Sequence, residues 1–99
     1  MYYTYILYSE KINKFYIGSS GDLKERVKQH NHGDSEYTKS GLPWSLVYYE
    51  AFTEKKDATT EEKFLKSGKG RERRKYLLKT YLKNLFKRNG EVARVVEGV

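Results

Sequence analysis

Two short runs of strand-forming residues near the start of the chain predict a β-hairpin. Residues 2–8 mix aromatic, β-branched and aliphatic side chains, a composition typical of a strand. Residues 15–18 form a second run of this kind, and the polar segment between the two contains the turn-forming Asn13. Two strands joined by a short polar segment most often pair antiparallel, so we expect a hairpin here.

The segment after the hairpin has the signals of a helix start. Asp22 can act as the N-cap, and Glu25 follows three residues later, as in a capping box. Leu23 and Val27 are spaced so that they lie on one apolar side of a helix. The Asn-His-Gly sequence at residues 31–33 predicts the end of this first helix.

A third strand is predicted in the middle of the chain. Residues 34–41 are polar and loop-like, and Pro43 interrupts any helix. The apolar and aromatic run at residues 44–49 then predicts a strand, with residues 51–52 continuing it or leading out of it.

Two helices are predicted in the second half. Thr53 can cap the first of them, which carries Ala58, Phe64 and Leu65 and ends at the Ser-Gly of residues 67–68. A single longer helix is predicted from residue 71 to residue 88. Its apolar positions recur at helical period: Leu77, Leu78, Tyr81, Leu82 and Leu85.

The predicted order is therefore β-β-α-β-α-α, which indicates an α+β fold. The simplest arrangement is a three-stranded antiparallel sheet flanked by helices, because the strands must bury at least one face. We expect one domain over residues 1–88. We expect residues 89–99 to form a mobile tail, since they have little to pack against.

The charge of the chain suggests a polyanionic partner. Twenty Lys and Arg against 13 Asp and Glu give a net charge of +7, which favours DNA, RNA or an acidic membrane surface. The sequence contains no cysteine, so disulfides and thiolate metal sites are excluded. It has neither a basic segment typical of a secretion signal nor an apolar run of about 20 residues, and we expect a cytoplasmic protein with no membrane span.

Tyr5 and Tyr16 are the first candidates for chemistry. If the hairpin forms, both phenols can point to one place. A phenol keeps its proton up to a pKa of about 10, so it serves as a base near neutral pH only where cations or a metal favour the phenolate. The alternative is that both tyrosines are ordinary strand residues that pack in the core.

Arg26 and His30 form a second candidate pair, because their spacing puts them on the same side of the first helix. Arginine can hold a phosphate by a two-pronged hydrogen bond, and histidine can pass a proton or hold a water molecule. The alternative is a solvated arginine and a helix-terminal histidine that interacts favourably with the helix dipole.

Glu61 and Glu62 form the third candidate pair. Both carboxylates fall close to the apolar side of the second predicted helix, where an unpaired charge is expensive. Mg²⁺ is one partner for such a group, because it is often bound by one or two carboxylates plus phosphate and water. A surface cation such as Lys63 is the alternative, and periodicity does not choose between the two glutamates.

Two further patterns of polar residues could bind a ligand. Basic residues recur every four positions along the last predicted helix and could bind phosphates, or could simply form its solvated face. These residues are Arg71, Lys75, Lys79, Lys83 and Lys87. A zinc site in the polar loop is a weaker alternative, because its ligand set is irregular. Its ligands would be His30, His32, Asp34 and Glu36.

Taken together, these segments resemble the GIY-YIG nuclease family. The resemblance is closest to its small stand-alone branch, related to the N-terminal nuclease domain of the bacterial excision-repair incision subunit, and it covers roughly residues 2 to 80. Five elements in order carry it: Tyr3-Thr4-Tyr5-Ile6-Leu7, Phe15-Tyr16-Ile17-Gly18-Ser19, Asp22-Leu23-x-x-Arg26-Val27-x-x-His30-Asn31, Pro43-Trp44 and Glu62-x-x-Leu65-Lys66-Ser67.

The resemblance implies a role for each matching residue. Tyr5 would be the general base or would position the attacking water, and Tyr16 would support it. Gly18 would let the backbone pass closely. Arg26 would grip the scissile phosphate and His30 would help in proton transfer. Glu62, rather than Glu61, would hold a single Mg²⁺ or Mn²⁺.

The sequence also departs from the family pattern. Tyr3 and Thr4 stand where the first triplet has glycine and isoleucine. Some members carry a further asparagine beyond the metal glutamate, and Asn84 is not a secure match for it.

The implied function is metal-dependent hydrolysis of DNA phosphodiester bonds. The expected substrates are branched or flapped DNA, in repair or recombination, because so small a domain has little room to read bases. A partner protein could supply specificity, and the oligomeric state stays open. The alternatives are a nucleic-acid-binding module that has lost catalysis and a protein-interaction adaptor built on the tyrosine-rich strands.

Overall fold

The computed structural model describes residues 1–89 of the chain, and these form one sheet covered by helices on both faces. The strands are β1 (Tyr2–Ser9), β2 (Lys14–Ser20) and β3 (Ser45–Phe52). The helices are α1 (Leu23–Asn31), α2 (Lys55–Lys66), α3 (Arg71–Leu77) and α4 (Lys79–Asn89). The loop before β3 contains a short 3₁₀ turn at Lys39–Gly41.

The sheet is antiparallel with the strand order β2-β1-β3, so β1 is central. Tyr5 pairs with Gly18 and Leu7 with Tyr16, as a hairpin requires. Asn13 has a φ of 54°, in the left-handed region that suits a turn asparagine. The predicted hairpin, third strand and α+β class are confirmed.

The two faces of the sheet carry separate apolar clusters, because side chains alternate along each strand. The first cluster faces α2, α3 and α4 and contains Ile6, Tyr8, Phe15, Ile17, Leu65, Leu78 and Leu85. The second cluster lies against α1 and the loop before β3, and it is built on Tyr5, Leu7 and Trp44 with Leu23 and Val27 packed against them. The apolar sides predicted for α1 and for the last helix therefore both contact the core.

α1 is held at both of its ends. The Asp22 carboxylate accepts a hydrogen bond from the backbone N–H of Glu25 at 3.1 Å, which confirms the predicted N-cap. At the other end the Asn31 amide donates to the Trp44 carbonyl at 3.0 Å and accepts from the Trp44 N–H at 2.6 Å. This double contact ties α1 to the start of β3, so side chains on α1 are fixed relative to the sheet.

Two predictions about the helices were wrong in detail. The single helix predicted over residues 71–88 is two helices that meet at Leu78, which has φ −108° and ψ 13°. Leu78 is buried in the core, and backbone hydrogen bonds continue on both sides of it, so the second helix follows the first directly. α2 is preceded by Glu54 rather than by Thr53 as its N-cap residue. α4 extends through Asn89, and the rest of the predicted tail lies outside the described residues.

The junction between α2 and α3 depends on two residues that periodicity does not single out. A Cβ on Gly70 would collide with the Phe64 carbonyl, so only glycine lets the chain pass this close to α2. Arg74 is fully buried and donates a hydrogen bond to the Leu65 carbonyl near the end of α2. Helix ends leave carbonyls without intrahelical partners, and a buried guanidinium supplies a donor for one of them.

Candidate active site

A cleft of about 340 Å³ lies where β2 ends, between α1 and the start of α2. We call it the strand-end cleft. Its lining includes Tyr2, Ser19, Ser20, Gly21, Arg26, Lys55 and Thr59. Arg26 and Lys55 bring positive charge to it, and the two serines bring hydroxyl groups. Such a lining suits an anion, because it combines cations with hydrogen-bond donors.

A smaller depression of about 120 Å³ also has Arg26 in its lining. We call it the Tyr16 depression. It is lined by Tyr16, Arg26, Gln29, His30, Asp34 and Ser35. Arg26 therefore belongs to both cavities, with a phenol and an imidazole on one side and the end of β2 on the other. The predicted pairing of Arg26 with His30 on one side of α1 is found.

Tyr5 lies behind this surface rather than in it. Its side chain is 1% exposed, and its hydroxyl lies 3.0 Å from Nε2 of His30. Gly18 is its partner on the neighbouring strand, and a Cβ there would come within 2.5 Å of the hydroxyl. Glycine is therefore needed at residue 18 to leave room for the phenol, a closer definition of the role that the family resemblance implies for Gly18.

His30 is held at both ring nitrogens. Nδ1 lies 3.0 Å from the Thr38 hydroxyl, which in turn donates to the Ser35 carbonyl at 3.4 Å. Since the Thr38 hydroxyl donates its proton to the Ser35 carbonyl, it can only accept from the ring. We therefore assign the ring proton to Nδ1, and Nε2 accepts a hydrogen bond from the Tyr5 hydroxyl. Burial, together with Arg26, lowers the pKa of His30, so the neutral ring is favoured.

The zinc site considered from the sequence does not form. Both nitrogens of His30 contact hydroxyl groups, so neither is directed at a ligand set in the loop. Within residues 1–89, no group of three or more His, Cys, Asp or Glu side chains is arranged to hold a metal.

The pKa of Tyr5 depends on its burial and on three neighbouring side chains. Burial raises this pKa well above its ordinary value, the neighbouring Tyr16 and the Glu62 carboxylate raise it further, and Arg26 opposes them. Tyr16, Arg26 and Glu62 therefore all lie within electrostatic range of Tyr5, although α1 and α2 cover opposite faces of the sheet. A raised pKa favours the protonated phenol, so Tyr5 is a hydrogen-bond donor rather than a phenolate near neutral pH.

The two adjacent glutamates point to different surroundings, which periodicity alone could not predict. Glu62 accepts a 2.6 Å hydrogen bond from the Ser19 hydroxyl, at the end of β2, and forms a 2.7 Å ion pair with Lys66. Glu61 forms a 3.2 Å ion pair with Arg73, which also lies 3.9 Å from Glu50. Glu62 is therefore the acid that contacts Ser19 of the strand-end cleft, and Glu61 belongs to a separate charged cluster.

Glu62 meets the requirements of a sparse divalent-metal site. Its carboxylate is partly exposed, and the Ser19 hydroxyl supplies a second hard oxygen beside it. Mg²⁺ retains several waters and is often held by only one or two carboxylates together with substrate phosphates. One glutamate that is hydrogen-bonded to a serine of a cationic cleft fits this pattern.

The basic residues of the last predicted helix are distributed over two helices. Arg71 and Lys75 lie on α3, whereas Lys79 and Lys83 lie on α4, beyond Leu78. Lys75 lies 3.6 Å from Glu72, and the Lys79 ammonium lies 5.0 Å from the centre of the Tyr76 ring. The basic series predicted along one helix is therefore divided between two helices.

Sequence reasoning missed Ser19 and Thr38 as site residues. Ser19 was read only as part of the strand-end motif, although its hydroxyl orients Glu62. Thr38 lies in a polar loop eight residues after His30, and no periodic pattern connects the two. A hydroxyl at the end of a glycine-containing strand is the one signal that the sequence offered for Ser19.

Comparison with known proteins agrees with this arrangement. A family model described as the GIY-YIG catalytic domain matches residues 1–91. The chain therefore belongs to the GIY-YIG family, whose members form a class of nucleases, and nucleic acid is the substrate that a nuclease domain implies. Within residues 1–89, no helix has both the length and the apolar character needed to span a membrane.

Several small bacterial proteins are similar over most of their length. A UPF0213 protein of Streptococcus pyogenes serotype M3 is 39% identical over 83 residues, covering 82% of this chain and 88% of the relative. A UPF0213 protein of Streptococcus pneumoniae serotype 4 is 32% identical over 85 residues, covering 85% of each. One of Clostridium perfringens is 39% identical over 67 residues, covering 67% of this chain and 71% of the relative. No solved structure matches the chain.

Proposed function

We propose that this protein is a metal-dependent DNA endonuclease that hydrolyses phosphodiester bonds. The observation that carries the proposal is the position of Arg26 between two cavities. One cavity offers Lys55 and Ser19, and the other offers Tyr16 and His30. A phosphate gripped at Arg26 therefore has anion-binding groups on one side and proton-transferring groups on the other.

Arg26 binds the scissile phosphate in this proposal. Its guanidinium can form two parallel hydrogen bonds to phosphoryl oxygens and can neutralise the charge that develops on them. Lys55 lines the same cleft and adds a second cation. The position of Arg26 on α1, which is fixed to β3 through Asn31 and Trp44, keeps the guanidinium in place.

The attacking water is directed by Tyr16, with Tyr5 and His30 behind it. Tyr16 lines the depression beside Arg26, whereas Tyr5 is buried and donates to His30. This division differs from the roles that the family resemblance suggested, in which Tyr5 itself meets the water. His30 is neutral because its pKa is lowered, and its Nε2 accepts the hydrogen bond that fixes the Tyr5 hydroxyl.

Glu62 holds the divalent metal, Mg²⁺ or Mn²⁺. When bound there, such an ion supplies Lewis-acid stabilisation of charge on the leaving oxygen. Ser19 orients the Glu62 carboxylate, and Lys66 balances its charge before metal binds. Glu61 has no part in the site, because Arg73 pairs with it.

The expected substrates are branched, flapped or single-stranded DNA, in repair or recombination within the cytoplasm. The cleft is lined by groups that contact a backbone phosphate, and such contacts carry no sequence information. Structure-selective cutting, with a partner protein adding specificity, agrees with this lining.

One contact favours a second candidate, a nucleic-acid-binding module without catalysis. The Lys66 ammonium lies 2.7 Å from the Glu62 carboxylate, where it competes with a metal ion. Such a module would bind DNA through Arg26 and Lys55 without divalent metal and would release no cleaved product.

A cleavage assay across branched, flapped and single-stranded DNA, with and without Mg²⁺ or Mn²⁺, separates these candidates. Arg26→Ala should lower the cleavage rate by about a hundredfold or more, and Arg26→Lys should restore little of it, because lysine lacks the two-pronged geometry. Lys28→Ala is the matched control, since it removes one exposed charge from the same helix. Metal-independent binding with no cleavage of any substrate would overturn the nuclease proposal.

A further inference from the structure

A third cavity lies outside both parts of the candidate active site. It is a groove of about 500 Å³ between α1 and the outer part of the sheet. Its apolar lining comes from Tyr3, Leu23, Val27, Leu46 and Tyr49. Binding sites for small organic groups usually have volumes of roughly 300–1,000 Å³ and mainly apolar walls. Nothing in the proposed reaction uses this groove.

Two aromatic rings form one side of the groove. Tyr3 and Tyr49 lie on neighbouring strands, with ring centres 6.0 Å apart and ring planes at 63°. The Tyr49 side chain is 54% exposed, which is a large apolar surface to leave in water. Because Tyr3 contacts Tyr49 edge to face, it holds that ring in place while leaving surface free, as a stacking platform requires.

The groove adjoins the strand-end cleft at Gly21. Gly21 lines both cavities, so one wall is shared between the apolar groove and the cleft that contains Arg26. A polyanion with flat apolar groups attached to it matches this division of the surface. The phosphate would lie with Arg26 and Lys55, and the attached base would lie against the tyrosines.

We propose that the Tyr3–Tyr49 groove is a subsite for one unpaired nucleobase next to the phosphate held at Arg26. The proposal rests on the proposed function, because the position of the base is defined by that phosphate. A base inside a duplex is already stacked on both sides, so it must leave the stack before a ring can contact it. The subsite therefore favours single-stranded or flapped DNA over continuous duplex.

The experiment is a double-mutant cycle between the protein ring and the DNA base. Binding of a fluorescent single-stranded oligonucleotide is measured in EDTA, where metal-dependent cleavage cannot occur. Tyr49→Leu keeps an apolar side chain but removes the ring, and a set of oligonucleotides each lacks one base at a different position. Tyr76→Leu is the matched control, because Tyr76 is also well exposed, at 66%, but lies on α3 on the other side of the sheet.

The expected result is energetic coupling between the Tyr49 ring and the base at one position of the oligonucleotide. Tyr49→Leu should weaken binding of the intact oligonucleotide roughly 5- to 100-fold, the range of one lost base-stacking contact. The same change should have no effect on the oligonucleotide that lacks the contacted base. Tyr76→Leu should show no such position-dependent coupling. Tyr3→Leu, which leaves the Tyr49 ring without its support, should give a smaller loss at the same position.

The outcomes separate this inference from the nuclease proposal. Equal losses at every position, or no loss for Tyr49→Leu, would overturn the base subsite even if the protein cuts DNA. Coupling at one position in a protein that cuts nothing would support the subsite and contradict the nuclease proposal. Stacking can also be read independently, because 2-aminopurine at the coupled position should lose fluorescence on binding to the wild type but not to Tyr49→Leu.

Discussion

The hydroxyl of Tyr5 lies 3.0 Å from Nε2 of His30, although the two residues belong to the central strand and to α1. Tyr5 is almost fully buried, and Gly18 leaves the space that its hydroxyl needs. The pair therefore links the core of the sheet to the surface of the Tyr16 depression. Any effect of Tyr5 on a bound phosphate must pass through its neighbours.

Removing each phenol hydroxyl should have different consequences. Tyr16→Phe should lower the single-turnover cleavage rate by about a hundredfold or more with little change in stability, because Tyr16 lines the open depression. Tyr5→Phe, in contrast, should destabilise the fold by roughly 1–3 kcal/mol. It leaves the buried Nε2 of His30 without the hydroxyl that donates to it. Urea unfolding and cleavage of one DNA substrate measure the two effects. Full activity in Tyr16→Phe would show that this residue does not meet the water.

The contribution of His30 to the free energy of unfolding should be lost as the pH drops below about 6.5. Burial and Arg26 lower the pKa of His30, so the unfolded chain takes up this proton at a higher pH than the folded protein does. The stability that neutral His30 contributes is therefore present above the unfolded pKa and is lost as the pH falls towards the folded one. Urea unfolding from about pH 7.5 to about pH 5 measures the slope.

The chain has two histidines, so a matched pair of variants isolates this effect. His30→Gln should remove the His30 contribution to the slope of unfolding free energy against pH, whatever it does to the absolute stability. His32→Gln should leave the slope unchanged, because His32 is exposed at the end of α1. If the free energy of unfolding had the same pH dependence in His30→Gln and in the wild type, the lowered pKa of His30 would be contradicted.

Charge reversal on α3 and α4 tests whether the interrupted basic series binds DNA. Lys75→Glu with Lys79→Glu should weaken binding and lower the slope of log affinity against log salt by about two, if each lysine contacts one phosphate. Lys11→Glu with Lys14→Glu makes the same change of net charge at the hairpin turn and should have a smaller effect. Equal effects of the two pairs would indicate a general charge effect.

The fold was largely predictable because its signals are local. The strands of the hairpin, the Asn13 turn and the Asp22 cap each depend on a few adjacent residues, and all three are found. The break between the two helices at Leu78 was not predictable in this way. No proline or glycine marks it, and Leu78 and Leu85 on either side of it belong to the same apolar cluster.

The candidate site was predictable only in part. The helical spacing of Arg26 and His30 correctly indicated that both belong to one side of α1. The surroundings of Glu61 and Glu62 could not be separated by periodicity, because their partners Arg73 and Ser19 come from distant parts of the chain. Burial of Tyr5 likewise depends on how α1 packs on the sheet, which a strand pattern does not contain.

The central claim is that Glu62 serves a metal-dependent reaction at the phosphate held by Arg26. The most direct test is the single-turnover cleavage rate of a flapped DNA with saturating Mg²⁺ for the wild type, Glu62→Gln and Glu61→Gln. We predict that Glu62→Gln loses about a hundredfold or more, whereas Glu61→Gln, one residue away but paired with Arg73, stays within about threefold of the wild type. Equal rates for Glu62→Gln and the wild type would contradict the account.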